Sequence, residues 1–333
     1  MPSSSPVVVV TGAGAGAARA IAERFGKAGW RVGLIARSEA RLDDARWAIE
    51  ASGGEGLVLP ADVADCQAVF TARDRVLERW GVIDAWVNAA MATVVSPVSG
   101  MTAEEYRRVT EVTYLGCVHG TLAALDPMRA RNQGAIVQVG SALAYRAIPL
   151  QSAYCAAKFA IRGFTDSLRT ELGHEKSKIT LSMLQMPGMN TPQFDWARNK
   201  LADKYQPVGG VFDPGVAADA AWRAVHEGPR ELWVGGSAIE AILGQLIAPG
   251  LLGRYIAKTG WTGQVTDIPD PHALDNLYEP APGHQGARGR FGREAKAKAV
   301  ILDPARLRAG VAASAVLAAT AGLAALGLGR RRR

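Results

Sequence analysis

Short apolar runs alternate with longer segments of helical periodicity along most of this chain. Apolar runs of this length predict strands, and the periodic segments between them predict helices. The predicted strands are 7–11, 31–36, 56–60, 83–88, 135–140, 179–184 and 231–235, and the predicted helices are about 16–29, 39–52, 66–80, 102–126, 152–173 and 214–227. Apolar strands that alternate with helices are typical of a parallel sheet covered on both faces. We therefore predict an α/β fold with a doubly wound parallel sheet.

Two regions depart from this alternation. Residues 188–212 contain Pro192, Pro207 and a Gly-Gly pair around Phe194 and Trp196, which predicts a long mobile flap over a site. Beyond residue 240 prolines interrupt the pattern, and from residue 283 the chain is rich in Gly, Arg and Ala. We expect one domain over 1–238, an irregular basic extension over 239–309, and a hydrophobic tail helix over 310–333.

The tail is long enough to be considered as a membrane span. Residues 311–329 are nineteen residues without a charge, followed by four arginines at 330–333. Their high Ala and Gly content makes membrane insertion marginal, and cations on both sides leave the orientation open. We expect possible membrane association through this tail, with an exposed or interfacial helix as the alternative.

Composition and charge exclude several classes of protein. The chain has 333 residues, a net charge of +7 and 48% hydrophobic residues, which is ordinary for a globular protein. Residues 286–333 carry eleven Lys and Arg against two acids, so the body has no cationic excess for binding nucleic acid. The three cysteines, Cys66, Cys117 and Cys155, show no disulfide or zinc spacing. We expect a reducing compartment, no nucleic-acid partner and no metal.

The first chemical signal is a turn of small residues between the first strand and the first helix. The turn reads Thr11-Gly12-Ala13-Gly14-Ala15-Gly16. Small residues allow the backbone to approach a pyrophosphate, which backbone N–H groups and the helix dipole then stabilise. We expect Gly12, Gly14, Ala15 and Gly16 to bind a dinucleotide, and a plain tight connection is the alternative.

The end of the second strand predicts which dinucleotide binds. Proteins that bind NAD commonly place an acid there, whereas this chain has Ala36-Arg37-Ser38 and no acid before Glu39. Arg37, with help from Arg19, can pair with a 2′-phosphate. NADP(H) is therefore favoured over NAD(H), and the alternative is a solvated arginine.

A second chemical signal combines Ser141, Tyr154 and Lys158. Helix positions i and i+4 share a face, so the Lys158 ammonium lies near the Tyr154 phenol and is expected to lower its pKa. A phenol of this kind exchanges a proton with a carbonyl or alcohol oxygen while a hydride moves to or from a nicotinamide. Ser141 would hold the same oxygen by a hydrogen bond.

Taken together, these motifs resemble the short-chain dehydrogenase/reductase family over about residues 6–238. The resemblance implies a Rossmann-type fold and assigns further cofactor-binding residues, and Tyr154 and Lys158 would also contact the cofactor. The matching segments, in family order, are Thr11-Gly12-x-x-x-Gly16, Asp62-Val63, Asn88-Ala89-Ala90, Ser141, Tyr154-x-x-x-Lys158, and Pro187-Gly188 with Thr191.

The resemblance also implies a role for each of these segments. Asp62 and Val63 would lie at the adenine, and Asn88 with Ala89 and Ala90 would support the adenosine side and the central sheet. Pro187, Gly188 and Thr191 would hold the carboxamide end of the nicotinamide. A turn at Asp62 and helix caps at Asn88 and Thr191 are the alternatives.

Two positions depart from the family pattern. Ala18 stands in place of a third glycine, and Thr113 stands where many members have an Asn that supports a proton relay. We treat Thr113 as a catalytic candidate, because a hydroxyl can replace part of that role.

The sequence thus predicts an NADP(H)-dependent oxidoreductase that interconverts a carbonyl and a secondary alcohol. The expected pocket residues are Leu143, Tyr145, Pro149, Gln151, Met189, Phe194 and Trp196, whose mostly apolar character suggests a lipophilic substrate. The alternatives are an NADP-binding scaffold or redox sensor with little turnover and, ranked lower, a sugar-nucleotide epimerase or dehydratase.

Assembly and location are expectations from analogy. Family members commonly associate through the two long helices predicted at 102–126 and 152–173, so we expect a homodimer or homotetramer. The chain opens with an apolar strand and not with a secretory signal, and NADPH is a cytosolic reductant. We expect a cytoplasmic location.

Overall fold

A computed structural model describes residues 5–271, 275–283 and 286–307. The strands are β1 (Val7–Thr11), β2 (Arg31–Ala36), β3 (Glu55–Pro60), β4 (Ala85–Asn88), β5 (Val94–Val95), β6 (Gly134–Val139), β7 (Ile179–Gln185), β8 (Gly188–Met189), β9 (Arg198–Asn199), β10 (Asp203–Tyr205), β11 (Val211–Phe212), β12 (Glu231–Val234), β13 (Val265–Pro269) and β14 (Ile301–Leu302). The helices are α1 (Gly16–Lys27), α2 (Glu39–Ala51), α3 (Cys66–Trp80), α4 (Ala103–Thr110), α5 (Gly116–Arg131), α6 (Ser152–His174), α7 (Gln193–Trp196), α8 (Pro214–Glu227), α9 (Gly236–Ile247) and α10 (Pro249–Thr259).

The central sheet of the described chain has eight strands in the order β14-β12-β7-β6-β4-β1-β2-β3. Neighbours from β12 to β3 are parallel, and β14 joins β12 in the antiparallel direction. The strand order reverses between β1 and β4, so a crevice opens at the carboxyl ends of these two strands. The predicted doubly wound α/β fold is confirmed, and the domain is single.

The alternation of side chains along the first strand, β1, explains why both faces of the sheet are covered. Val8 and Val10 pack with residues of α1, α2 and α8 on one face, while Val7 and Val9 pack with residues of α3 and α5 on the other. All four side chains are fully buried. Successive side chains of a strand point to opposite faces, so a run of valines is stable only between two helical layers.

The predicted helix over 102–126 is in fact divided. It begins with a capping box at Thr102 and Glu105, passes through a π-helical turn at Glu111–Leu115, and continues as α5 to Arg131. Asn132 then ends it in the left-handed conformation, with a φ of 48°. Pro127 does not end the helix, contrary to the boundary near residue 126 that we predicted.

The extension beyond residue 238 contains more regular structure than the irregular segment we predicted. Helices α9 and α10 follow the last parallel strand, and β14 pairs with β12 at the edge of the sheet. Pro249 occupies the first turn of α10, where a missing N–H costs no hydrogen bond. Proline at that position therefore begins a helix here, whereas we read it as an interruption.

The segment 188–212, for which we predicted a long mobile flap, contains regular structure. Its four short strands pair outside the central sheet: β8 with β11, β9 with β5, and β10 with β13. The one-turn helix α7 lies between them. These pairings hold the segment beside the carboxyl ends of the central strands.

Among the described residues, no helix is both long and apolar enough to cross a membrane. The predicted tail over 311–329 lies outside the described residues.

Candidate active site

The glycine turn is held between β2 and the loop that follows β4. The N–H groups of Gly12 and Ala13 both donate to the Ile35 carbonyl, at 2.7 and 3.1 Å. Gly12 has a φ of +78°, and a Cβ there would lie 2.9 Å from the Cα of Ala90. A side chain at this position is therefore strained and sterically excluded, which explains the glycine.

Thr11 fixes the same turn from the other side. Its hydroxyl accepts hydrogen bonds from the N–H groups of Ala89 and Ala90, at 3.0 and 3.2 Å. Gly14, Ala15 and Gly16 then continue along the wall of a single large cavity. Gly16 has a φ of +62° and faces Thr191, whose Cβ would lie 3.3 Å from a Cβ at residue 16.

This cavity of about 730 Å³ contains most of the predicted site residues. Its volume lies within the range of sites for cofactor-sized ligands. The glycine turn leaves the space that a pyrophosphate needs, so the residues present fit a nicotinamide dinucleotide. The predicted residues that line the cavity are Gly12, Gly14, Ala15, Gly16, Arg37, Asp62, Val63, Ala89, Ser141, Tyr154, Lys158, Pro187, Gly188 and Thr191.

Ser141, Tyr154 and Lys158 meet at the carboxyl end of β6. Ser141 follows that strand and lies beside the Tyr154 phenol, and its hydroxyl accepts from the Leu143 N–H at 3.1 Å. Tyr154 and Lys158 lie one turn apart near the start of α6. The Lys158 ammonium donates to the Val139 carbonyl at 2.7 Å and lies 5.4 Å from the centre of the Tyr154 ring.

Burial controls the protonation of this group of residues. It raises the pKa of the Tyr154 phenol, and the interaction with the nearby Ser141 hydroxyl offsets only part of that effect. It lowers the pKa of the Lys158 ammonium to about 8. The expected lowering of the Tyr154 pKa by Lys158 is therefore not what the structure shows, because desolvation of the phenolate outweighs the other effects.

Thr113 lies in the π-helical turn and is fully buried. Its hydroxyl donates to the Ala92 carbonyl and accepts from the Ala92 N–H, both at 3.0 Å. Both bonds tie the helix to the loop after β4. π-helical turns are frequent at functional sites, and here the turn aims a hydroxyl at that loop.

Asn88 lies in a buried polar network behind the cavity and does not line the cavity itself. Its side chain accepts from the Trp86 indole N–H at 2.9 Å and donates to Gln138 and Thr121 at 2.9 and 3.1 Å. Gly120 faces this network, since a Cβ there would lie 2.1 Å from the Asn88 Oδ1. Asn88 therefore joins β4, β6 and α5, and its contribution to the site is indirect.

The adenosine end of the cavity is rich in arginine. Arg37 lies at the carboxyl end of β2 as predicted, but its guanidinium donates to the carbonyls of Asn276 and Tyr278, both at 2.6 Å. Asp62 is paired with Arg108 at 2.5 Å. Arg19, which we expected to assist Arg37, instead pairs with Glu23 on the same helix at 2.8 Å.

The substrate end of the cavity matches the predicted lining in five of seven positions. Leu143, Gln151, Met189, Phe194 and Trp196 line it. Tyr145 does not, because its hydroxyl donates to Glu231 at 2.9 Å and its ring packs against Trp233. Pro149 is likewise absent from the described lining.

Sequence reasoning missed part of the lining. Helices α9 and α10 contribute apolar residues that include Ala238, Ala241, Leu252 and Ile256. Arg41, on α2, also lies at the cavity and stacks over the Trp196 ring at 4.5 Å. The sequence signal that could have identified α10 as part of the lining is the spacing of Leu252 and Ile256, which lie four residues apart on one helix face.

Comparison with protein families gives a direct match. Residues 6–201 match the family described as short chain dehydrogenase. This chain belongs to that family, and it is an NAD(P)-dependent oxidoreductase.

Two curated relatives show how far the similarity extends. An uncharacterized oxidoreductase of Bacillus subtilis (strain 168), YxnA, is 29% identical over 279 residues, covering 82% of this chain and 78% of the relative. A fatty acyl-CoA reductase of Acinetobacter baylyi is 29% identical over 228 residues, covering 68% of this chain and 75% of the relative.

Two solved structures share the fold. A short-chain dehydrogenase from Streptomyces avermitilis superposes with a TM-score of 0.66 and 28% identity, covering 78% of this chain and 98% of that one. An alcohol dehydrogenase from the archaeon Thermococcus sibiricus, complexed with 5-hydroxy-NADP, has a TM-score of 0.59 and 25% identity, covering 69% and 96%.

Proposed function

We propose that this protein is an NADP(H)-dependent oxidoreductase that interconverts a lipophilic carbonyl compound and the corresponding secondary alcohol. The observation that carries the proposal is a shared cavity. Ser141, Tyr154 and Lys158 lie in the same cavity as the glycine turn between β1 and α1. The proposed proton donor and the proposed dinucleotide site therefore share one cavity.

In this proposal Tyr154 is the acid and base. Its raised pKa keeps the phenol protonated at neutral pH, so it can donate a proton to a carbonyl oxygen. Ser141 holds the same oxygen by a hydrogen bond, and the Lys158 ammonium places a positive charge beside the phenol. A bound nicotinamide dinucleotide supplies or accepts the hydride.

The preference for NADP(H) is supported by charge at the adenosine end. Arg37 and Arg41 both line the cavity there, and the chain has no carboxylate at the end of β2 before Glu39. Guanidinium groups bind phosphate well, while an NAD site commonly uses a free carboxylate for the 2′-hydroxyl. The likeness to an alcohol dehydrogenase complexed with 5-hydroxy-NADP supports the same choice.

The lipophilic substrate is supported by the apolar substrate end. Leu143, Phe194, Leu252 and Ile256 come from three different parts of the chain and converge on the cavity. Burial of apolar surface is the main source of affinity in such a pocket. The similarity to a fatty acyl-CoA reductase is consistent with a long apolar substrate.

The test is the variant Tyr154→Phe, assayed with NADPH and a panel of aliphatic and aromatic ketones and aldehydes. Loss of the acid should reduce turnover by roughly 100- to 10,000-fold, while NADPH binding, measured by fluorescence, stays intact. Tyr114→Phe is the matched control, because Tyr114 packs against Phe164 outside the described cavity lining. Equal turnover in wild type and Tyr154→Phe would favour an NADP-binding scaffold instead.

The oligomeric state and the cellular location of the protein are proposed only by analogy with other family members. We keep a homodimer or homotetramer, a cytoplasmic location and membrane association through 311–329 as predictions. Size-exclusion chromatography with light scattering, and fractionation of cells that express the full chain, test them.

A further inference from the structure

A segment near the carboxyl end of the chain crosses the adenosine end of the cavity. We call residues 275–283 and 286–291 the strap. In its first part, the carbonyls of Asn276 and Tyr278 accept from Arg37, and the Leu277 carbonyl accepts from Arg108 at 3.0 Å. The carbonyls of Ala281 and Gly283 accept from Arg41, the latter at 3.0 Å. Three arginines from the family domain therefore bind this segment through its backbone.

The second part of the strap reaches the glycine turn. The Gly16 N–H donates to the Gly286 carbonyl at 3.2 Å. Asn190, just after β8, accepts from Gly289 through its backbone carbonyl at 3.2 Å and from Phe291 through its side chain at 2.9 Å. These bonds fasten the strap at the part of the turn where a pyrophosphate is expected to bind.

Burial shows that the strap forms part of the wall. Leu277 is 0% exposed and packs in the cluster of apolar residues that includes Val63 and Val112. Asn276 and Pro280 line the cavity directly. The backbone of Gly289 lies against Thr191, because a Cβ on Gly289 would overlap the Thr191 carbonyl. A segment that is this closely packed is part of the site.

We propose that the strap is the outer wall of the cofactor site, that Arg41 and Asn190 position it, and that it must open for a dinucleotide to enter or leave. The inference rests on the proposed dinucleotide site. The strap lies beyond residues 6–201, the part of the chain that matches the family.

The chemistry of the contacts is compatible with a bound phosphate. The strap gives Arg37 and Arg41 neutral carbonyl acceptors and not carboxylates. Carbonyl oxygens carry no net charge, so the positive charge of both guanidinium groups still attracts an anionic ligand. The strap can therefore close without cancelling the field that binds the cofactor.

The first test measures the rate at which NADPH leaves the full-length protein, by stopped-flow fluorescence after displacement with excess NADP⁺. Arg41→Ala and Asn190→Ala should each release NADPH at least ten-fold faster than wild type, and Arg41→Lys should lie between. Arg46→Ala is the matched control, since Arg46 is on the same helix and pairs only with Asp43 and Glu50 among the described carboxylates.

The two variants separate positioning from direct contact. Arg41 lines the cavity, whereas Asn190 is outside the described lining, so a faster release in Asn190→Ala does not require the loss of a side-chain contact with the cofactor. A merely structural role would lower Tm without changing the release rate at a temperature where each variant is folded. Thermal unfolding of each variant provides that comparison.

The second test is hydrogen exchange at the Gly289 and Phe291 amides, with and without NADPH. A closed strap predicts slower exchange when NADPH is bound. Equal release rates in all variants, or faster exchange on binding, would overturn the strap proposal alone. Failure of the wild type to bind either NADPH or NADH would overturn the proposed function together with it.

Discussion

At the residue scale, Lys158 is the member of the Ser141, Tyr154 and Lys158 group whose charge changes close to neutral pH. Burial lowers its pKa to about 8, so the ammonium is charged below that pH and neutral above it. Because the positive charge stabilises the developing phenolate of Tyr154, carbonyl reduction should be constant near pH 6–7 and fall as pH rises through about 8. The measurement is kcat/KM for a ketone from roughly pH 6 to 10. A rate that is flat or rising over that range would contradict this role of Lys158.

The protonation of Tyr154 shows a limit of sequence reasoning at this scale. The spacing of Tyr154 and Lys158 correctly predicts that both lie on one helix face. It does not predict how deeply the phenol is buried, and burial raises the pKa that we expected to fall. Depth depends on the elements that cover α6, which are remote in sequence.

Gly120 provides a stability prediction at the same scale. A Cβ at residue 120 would lie 2.1 Å from the Asn88 Oδ1 and 2.7 Å from the Trp86 indole nitrogen. Gly120→Ala should therefore push Asn88 out of its network and lower the free energy of unfolding by about 1–3 kcal/mol. Urea denaturation measures the change.

The matched control for Gly120 is Gly163, in the middle of α6. Nothing lies within 4 Å of a Cβ at residue 163. Gly163→Ala should therefore raise the free energy of unfolding by about 0.5–1 kcal/mol, because alanine loses less backbone entropy in a helix. Equal effects of the two substitutions would refute the close packing described for Gly120.

At the scale of elements, α10 is proposed to select the substrate. Leu252 lines the cavity, whereas its neighbour Leu251 is 66% exposed and faces solvent. Leu252→Asn should raise KM for a lipophilic ketone by roughly ten-fold or more, since a polar group in an apolar pocket costs about 1–3 kcal/mol. Steady-state kinetics on the same ketone measures the effect.

Leu251→Asn is the control for this prediction, and it should leave KM within about two-fold of wild type, since exposed substitutions change little. If both variants behave alike, α10 does not contact the substrate. If Leu252→Asn lowers the KM for polar carbonyl compounds and leaves the KM for every apolar ketone unchanged, the substrate is polar and the lipophilic proposal is wrong.

The elements that the sequence predicts are marked by their own residues. The elements that it does not predict depend on partners far away in the chain. The strands β1, β2 and β3 carry apolar runs that identify them without knowledge of any partner. By contrast, β14 has only two residues, and it is a strand because β12 offers it an unpaired edge. The strap has no regular structure, and its carbonyls are satisfied by arginines about 170–240 residues earlier in the chain.

At the scale of the whole molecule, the order of the strands in the central sheet determines where the cavity lies. Reversal of the strand order between β1 and β4 opens the crevice in which the glycine turn, Asp62 and Ala89 line one cavity. The motifs predicted this arrangement because the carboxyl ends of parallel strands lie at one edge of a sheet. They did not predict that the chain returns after residue 274 to cover that edge, because such a return leaves no periodic pattern.

The central claim is that the cavity transfers a hydride from NADPH to a carbonyl carbon with Tyr154 as the acid. The most direct measurement uses NADPH with deuterium in place of both hydrogens at the nicotinamide C4, with mass spectrometry of the alcohol formed from a lipophilic ketone. The wild type should give alcohol that carries one deuterium, and Tyr154→Phe should give at most about one hundredth as much. Equal deuterium transfer by the two proteins, or alcohol without deuterium, would contradict the account.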